Sequence, residues 1–206
     1  MEYKNYTIEA FSDLTASNAA APGGGSVSAL TSSLGAALVI MAAKLTENKK
    51  GYEAAQTEMK EIIAKAEPLR QELLDDIEKD SRSFDSYMQA LKLPKETEKE
   101  KAERRRAMQE ALKKACEVPL SVAQKSIDVM ELAKIACEKC NRNAASDALV
   151  AAFSARSGCL SAVQNVLINI KNIKDGDFVK KYSEMCETIT KKAEKIEQEC
   201  KKLANI

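Results

Sequence analysis

The apolar positions of this chain form no sustained alternating run of β-branched residues, so strands have little support and helices account for the pattern. Asn5 to Thr15 reads as a short amphipathic helix, followed by a turn-rich stretch from Ser17 to Gly25. Ser26 is placed to cap a helix running to about Thr46, because its hydroxyl can accept from an unpaired N–H of the first turn. Gly51 marks the next boundary. A long helix then covers Tyr52 to about Leu91, with a kink expected at Pro68, whose ring removes a backbone donor. Thr97-x-x-Glu100 has the form of a capping box, so another helix starts there and runs as far as Cys140, interrupted or bent near Pro119. Asn141 to Asn143 form a break. Helices from about Ala144 to Lys171 and from Asp177 to Leu203 complete the chain, separated by the turn Lys174-Asp175-Gly176-Asp177. The expected fold is all-α: one domain over residues 1–206, a bundle of about six helices.

Composition narrows the function more than the fold. Lys plus Arg (32) nearly cancels Asp plus Glu (31), so no basic surplus exists to neutralise a nucleic-acid backbone, and no nucleic-acid partner is expected. The apolar stretch Val27 to Ala43 is nearly long enough to span a membrane, but it is rich in Ala, Ser, Thr and Gly and reads as a buried core helix. No membrane partner is expected either. Six cysteines lie in helical stretches with no signal peptide ahead of them, which points to a reduced, cytosolic compartment. Cys137-x-x-Cys140 has a metal-ligand spacing, yet there is no second pair and no histidine anywhere, so no metal site is expected. Without histidine a Ser-His-Asp triad and a Cys-His nucleophile are both excluded. Proton transfer at neutral pH falls to Asp, Glu, Lys, Tyr, Cys or a bound water, acting on a substrate that is already electrophilic.

Two constellations could carry such chemistry. The loop Pro22-Gly23-Gly24-Gly25-Ser26 opens a helix of small residues, where exposed N–H groups and the helix dipole favour an anion or an electron-rich carbonyl. It is neither a P-loop nor a dinucleotide fingerprint, and a tight interhelical turn is its plain structural alternative. The second lies on the helix after Asn143. At about 100° per residue, Asp147 and Asn165 share one direction, with Asn143, Ser154, Gly158, Ser161 and Asn169 close to it. Exposed helix faces normally carry Lys and Glu, which are scarce here, so a buried polar stripe is the expectation, with an exposed face as the alternative. Lys44, the only charge between Ser26 and Thr46, can reach solvent or an acidic ligand. Asp80, on a stripe with Asp76, Phe84 and Tyr87, is either a carboxyl of raised pKa or a surface carboxylate.

The run Ala21-Pro22-Gly23-Gly24-Gly25-Ser26-Val27 leading into a small-residue helix resembles the cyclodeaminase/cyclohydrolase family of folate one-carbon enzymes. So do Asp80-x-x-x-Phe84, Leu93-Pro94-Lys95, Ala115 through Val118-Pro119-Leu120, Asn143-x-x-x-Asp147, and Asn165-x-x-x-Asn169 followed by Lys174-Asp175, in order over nearly the whole chain. The resemblance implies an all-α homodimer acting on a tetrahydrofolate one-carbon derivative, with no cofactor beyond that substrate. Two activities occur: cyclisation of 5-formimidoyltetrahydrofolate to 5,10-methenyltetrahydrofolate with release of ammonia, and interconversion of the methenyl form with 10-formyltetrahydrofolate. A chain without a formiminotransferase domain fits either, the first alongside a separate formiminotransferase, and family usage leans to the first. On this reading Asp147 is the leading general acid/base with Asn143 orienting it, and Asp80 is second. Asn165 and Asn169 hold the pterin edge or Asp147. Pro22 and Phe84 belong to the substrate site, the Gly23 to Ser26 main chain receives a folate carbonyl or carboxylate, and Lys44 pairs with the glutamate tail. A noncatalytic folate-binding protein would keep the loop but would not need Asp147 and Asp80 in one pocket beside it.

Overall fold

The computed structural model describes residues 2–206, and among them there are helices and turns but no strand. A 3-10 turn at Tyr3–Asn5 precedes α1 (Ile8–Thr15); α2 (Gly24–Lys44), α3 (Gln56–Leu91), α4 (Glu98–Ala115), α5 (Glu117–Lys139), α6 (Ala145–Ile170) and α7 (Gly176–Ala204) follow. Six of these are long, as the sequence implied. The first expected helix divides: Tyr3–Asn5 and α1 are separate because Thr7 caps α1, its hydroxyl accepting from the Ala10 N–H at 3.1 Å. The third starts later than expected, after a 3-10 turn at Glu53–Ala55, and runs unbroken through Pro68. The expected bend near Pro119 is a helix boundary. α4 ends at Ala115, and Pro119 sits in the first turn of α5, where a missing N–H costs nothing.

Local chemistry fixes the other ends. Thr97 Oγ1 accepts from the Glu100 N–H at 3.2 Å while Glu100 Oε2 accepts from the Thr97 N–H at 2.9 Å, a complete capping box. Asp175 caps α7, accepting from the Phe178 N–H at 3.1 Å, and pairs with Lys113 at 2.6 Å. Asn141 joins the α5–α6 connection to the end of α2: its N–H donates to Thr46 Oγ1 at 2.9 Å and its side-chain amide to the Leu45 carbonyl at 2.7 Å.

The core is aliphatic, built on Val39, Met59, Ile62, Leu73, Ile77, Val129, Met130 and Val166. At its centre α2 packs against α3, α5 and α6, burying one face of small residues. Small side chains let α2 and α6 approach closely and run antiparallel, with Gly35 against Ala151 and Ala155 and Gly158 against Ser28 and Ser32. A Cβ on Gly158 would lie 2.7 Å from the Ser28 carbonyl and 2.0 Å from Ser32 Oγ. Gly158→Ala is therefore expected to destabilise the fold by about 1–3 kcal/mol through overpacking, despite the better helix propensity of alanine. Thermal unfolding checks this, and an unchanged or raised Tm would refute it. All six cysteines are buried. Burial pushes the thiols of Cys116 and Cys159 up to about 12 and that of Cys140 to about 11, so these are packing groups rather than ready nucleophiles.

Candidate active site

The α2 N-terminus, the C-terminal third of α3, the end of α4 and the end of α6 enclose a cavity of about 360 Å³. Gly23, Gly24 and Gly25 line it on one side, Asp80, Phe84 and Tyr87 on another, and Asn165, Asn169 and Asn172 on a third. The glycine loop and part of the asparagine stripe thus meet.

Ser26 does not cap α2. Gly23 takes that position in extended backbone, and the Ser26 hydroxyl is drawn instead to α3, its one proton shared between the Ile77 carbonyl, 3.0 Å away, and Asp80. It also lies 3.2 Å from Asp80 Oδ2 and 3.2 Å from Ser81 Oγ. Ser26 is wholly buried behind Asp80 and does not line the cavity. Its work is to hold the carboxyl. Asp80 is half-buried, and burial raises its pKa above the ordinary carboxylate range; donation from the Ser26 hydroxyl and N–H pulls the other way, and the neighbouring Asp76 adds to the rise. Asp76 is itself buried and neutralised by Lys125 at 2.7 Å and Lys79 at 2.8 Å.

Gly25 is present for a steric reason. A Cβ there would stand 2.1 Å from Asp80 Oδ1, so the carboxyl occupies the space a side chain would fill. The Asn165 amide donates to the Ser161 carbonyl at 2.8 Å, and the Asn169 amide donates to the Ala115 carbonyl, the last of α4, at 2.9 Å. Each asparagine is oriented by its NH2, which leaves Oδ1 as an acceptor for a ligand. The N–H groups of Gly24 and Gly25, in the first turn of α2, have no intrahelical acceptor and belong to the same cavity.

Several expected site residues lie elsewhere. Asp147 and Asn143 stand at the opposite end of α6 from Asn165: eighteen residues of helix put Asp147 about 27 Å away along the axis. Asn143 is exposed, in a 3-10 turn where its N–H donates to Asn141 Oδ1 at 3.0 Å. Neither lines the cavity, so Asp147 and Asp80 do not share a pocket within one chain. Lys44, at the far end of α2, is about 30 Å from Gly24 by the same rise. Pro22 is buried beneath the loop, joined to Ala21 by a cis peptide, and does not line the cavity. The stripe on α6 is only partly buried: Gly158 is buried, Asp147, Ser154, Asn165 and Asn169 are half-buried, and Asn143 and Ser161 are exposed. The sequence pattern did not single out Asn172, which continues the stripe from Asn169 at helical spacing, or Ser81 and Leu112, for which no sequence signal existed.

A family model described as Formiminotransferase-cyclodeaminase matches residues 7–188. A methenyltetrahydrofolate cyclohydrolase of Methylorubrum extorquens is 45% identical over 84% of each chain. The formimidoyltransferase-cyclodeaminase of Gallus gallus is 37% identical over 90% of this chain and 34% of its own, so this chain spans about a third of that relative. The crystal structure of formiminotetrahydrofolate cyclodeaminase from Thermotoga maritima superposes with a TM-score of 0.89 at 33% identity, covering 98% of both chains. The chain belongs to the formiminotransferase-cyclodeaminase family.

Proposed function

We propose that this chain is a cytosolic enzyme of folate one-carbon metabolism that makes or opens the bridge between N5 and N10 of 5,10-methenyltetrahydrofolate, with Asp80 as its general acid/base. The observation that carries this reading is a half-buried carboxyl of raised pKa, fixed by Ser26 at the wall of a cavity whose other walls are amide acceptors and helix N–H groups. In the cyclodeaminase direction N10 attacks the formimidoyl carbon on N5, N10 loses its proton, and the tetrahedral carbon expels ammonia once that nitrogen is protonated. In the cyclohydrolase direction water adds to the methenyl carbon, releases a proton, and the N5–C bond breaks as N5 is protonated. Both need one group that takes and returns a proton beside the bridging carbon. Asp80 supplies it, and the chemistry calls for no cofactor beyond the folate itself.

The asparagine carbonyls of Asn165 and Asn169 accept from the pterin N–H edge, the Gly24 and Gly25 N–H groups receive a folate carbonyl, and Phe84 packs against the ring system. Ammonia release is favoured by the Thermotoga maritima likeness at matching length, and water attack by the 45% identity to the cyclohydrolase, also at matching length. The homodimer implied by the family is part of the same reading. A spectrophotometric assay of both 5-formimidoyl- and 5,10-methenyltetrahydrofolate with one preparation tests it. Turnover of at least one is expected, their ratio assigns the activity, and no turnover of either overturns the proposal.

A further inference from the structure

One buried charge is not accounted for by packing. Asp76 lies inside α3 with 3% of its side chain exposed, and an interior carboxylate is costly unless it is paired. Lys125 of α5 reaches it at 2.7 Å and Lys79 at 2.8 Å, and the two ammonium groups keep it charged. Burial alone would pull the Lys125 ammonium pKa down, yet its bonds to Asp76 and Glu72 prevail and raise it. Such a pair adds little net stability over apolar residues of similar volume. The surrounding core is aliphatic, so stability does not explain why a charge is kept here.

Position does. Asp76 stands one helical turn before Asp80, with about 6 Å between their Cβ atoms, and its charge opposes ionisation of Asp80. The two lysines do not cancel that effect. The Lys125 ammonium is shared with Glu72, a further turn back, at 3.2 Å, so it sits on the side of Asp76 away from Asp80. Lys79 is half exposed, and water screens it. The negative end of the buried pair therefore points along α3 toward Asp80. From α2, the Ser26 hydroxyl and N–H pull the other way. Among the described residues no other charge competes. α2 has none before Lys44 at its far end, and α4 and α6 face the carboxyl with Leu112, Ala115 and the asparagines. Lys4 and Arg82 are taken by Asp75 and Glu78, and the remaining ionisable group of the cavity wall is Tyr87, two turns on.

A group that must take a proton and return it in one turnover works best when neither form is strongly favoured. We propose that Asp76 and Lys125 are positioning residues for the reaction: Lys125 holds Asp76 charged in the interior, and the Asp76 charge, set against Ser26, poises Asp80 between its acid and base forms. The link to the reaction rests on the role given to Asp80 above; the electrostatic coupling does not.

The pH dependence of kcat/KM reads the coupling. The double variant Asp76→Asn, Lys125→Met removes both buried charges together and is expected to fold. In it the limb of the profile set by Asp80 should move to lower pH by about 0.5–1 unit, whether that limb lies on the acid or the alkaline side. Asp76→Asn alone should give the same displacement, and Asp75→Asn, which removes a nearby exposed carboxylate, should give none. Lys125→Met alone strands the carboxylate and should melt below the double variant. A carbon NMR titration of the Asp80 carboxyl, assigned by its loss in Asp80→Asn, gives the same midpoint with no substrate present. A midpoint unmoved in the double variant, or moved equally by Asp75→Asn, overturns the coupling. Equal melting of Lys125→Met and the double variant overturns the part given to Lys125. If Asp80→Asn keeps its turnover, the reading of Asp80 as acid/base fails instead, and the role of Asp76 in the reaction falls with it even where the midpoint moves.

Discussion

Asp80→Asn is expected to lower turnover of the one-carbon substrate by about 10²–10⁴-fold while raising the Tm at neutral pH. The loss follows from removing the only carboxyl among the described residues that line the cavity. The gain in stability follows from the direction of its pKa. Burial disfavours the charged form, so the folded state holds the Asp80 proton more tightly than the unfolded chain does. Below the unfolded value of about 3.9 both states are protonated and the carboxyl has no differential effect. As pH rises from there through the raised folded value, the unfolded state ionises first and the fold loses stability, and the loss is complete above that value. Asparagine keeps the shape and can still accept from the Ser26 N–H, but it cannot ionise. Its stabilising effect is therefore absent in acid and present at pH 7, the sign of an active-site group retained at some cost to stability. Thermal melts at several pH values together with kcat measure both halves. A variant that keeps wild-type turnover removes Asp80 from the chemistry, and a Tm that falls at pH 7 refutes the burial account of its pKa.

The sequence made much of this site legible, and the physical reasons for the remainder are specific. Turn and cap chemistry is local, so Thr97 with Glu100, and Asp175 ahead of α7, were readable directly from spacing. The glycine loop was readable because three consecutive glycines exceed what a turn requires, and Gly25 accounts for one of them through Asp80, a contact made across 55 residues of chain. Asn165 and Asn169 were found by helical angle, and so was Asp147. An angle fixes which face of a helix a residue occupies but says nothing of height along it. Asp147 and Asn165 share a direction and stand about 27 Å apart. The role of Ser26 was unreadable for a different reason: a serine at a helix start has a local use as a cap, and only the tertiary approach of α3 supplies the competing acceptor at Ile77. Scarcity of Lys and Glu on α6 is visible in the sequence, but it does not distinguish a face buried within the chain from an uncharged one at the surface. The structure buries Gly158 against α2 and leaves Ser161 exposed, so one stripe serves both packing and surface.

Gly25→Ala is expected to lower kcat by about 10²-fold with the fold intact, whereas Gly24→Ala should stay within a few-fold of wild type. The two glycines are adjacent in the same helical turn, and both line the cavity. A methyl on Gly24 would rest 3.4 Å from the Asn165 amide, an ordinary contact. On Gly25 it would lie 2.1 Å from Asp80 Oδ1 and 2.4 Å from Cγ, so the whole carboxyl must move by about 1 Å. The atoms in the way belong to a side chain that can rotate, so the strain is relieved locally and little stability is lost. Rotation takes the carboxyl away from the Ser26 hydroxyl and N–H that fix it, and a proton donor displaced by that distance no longer lies in line with the bridging carbon. Kinetics and thermal melts on both variants give the comparison. If the two alanines behave alike, the space over Gly25 is not what positions Asp80. If Gly25→Ala instead unfolds the protein, the carboxyl is locked by its surroundings more rigidly than one serine can account for.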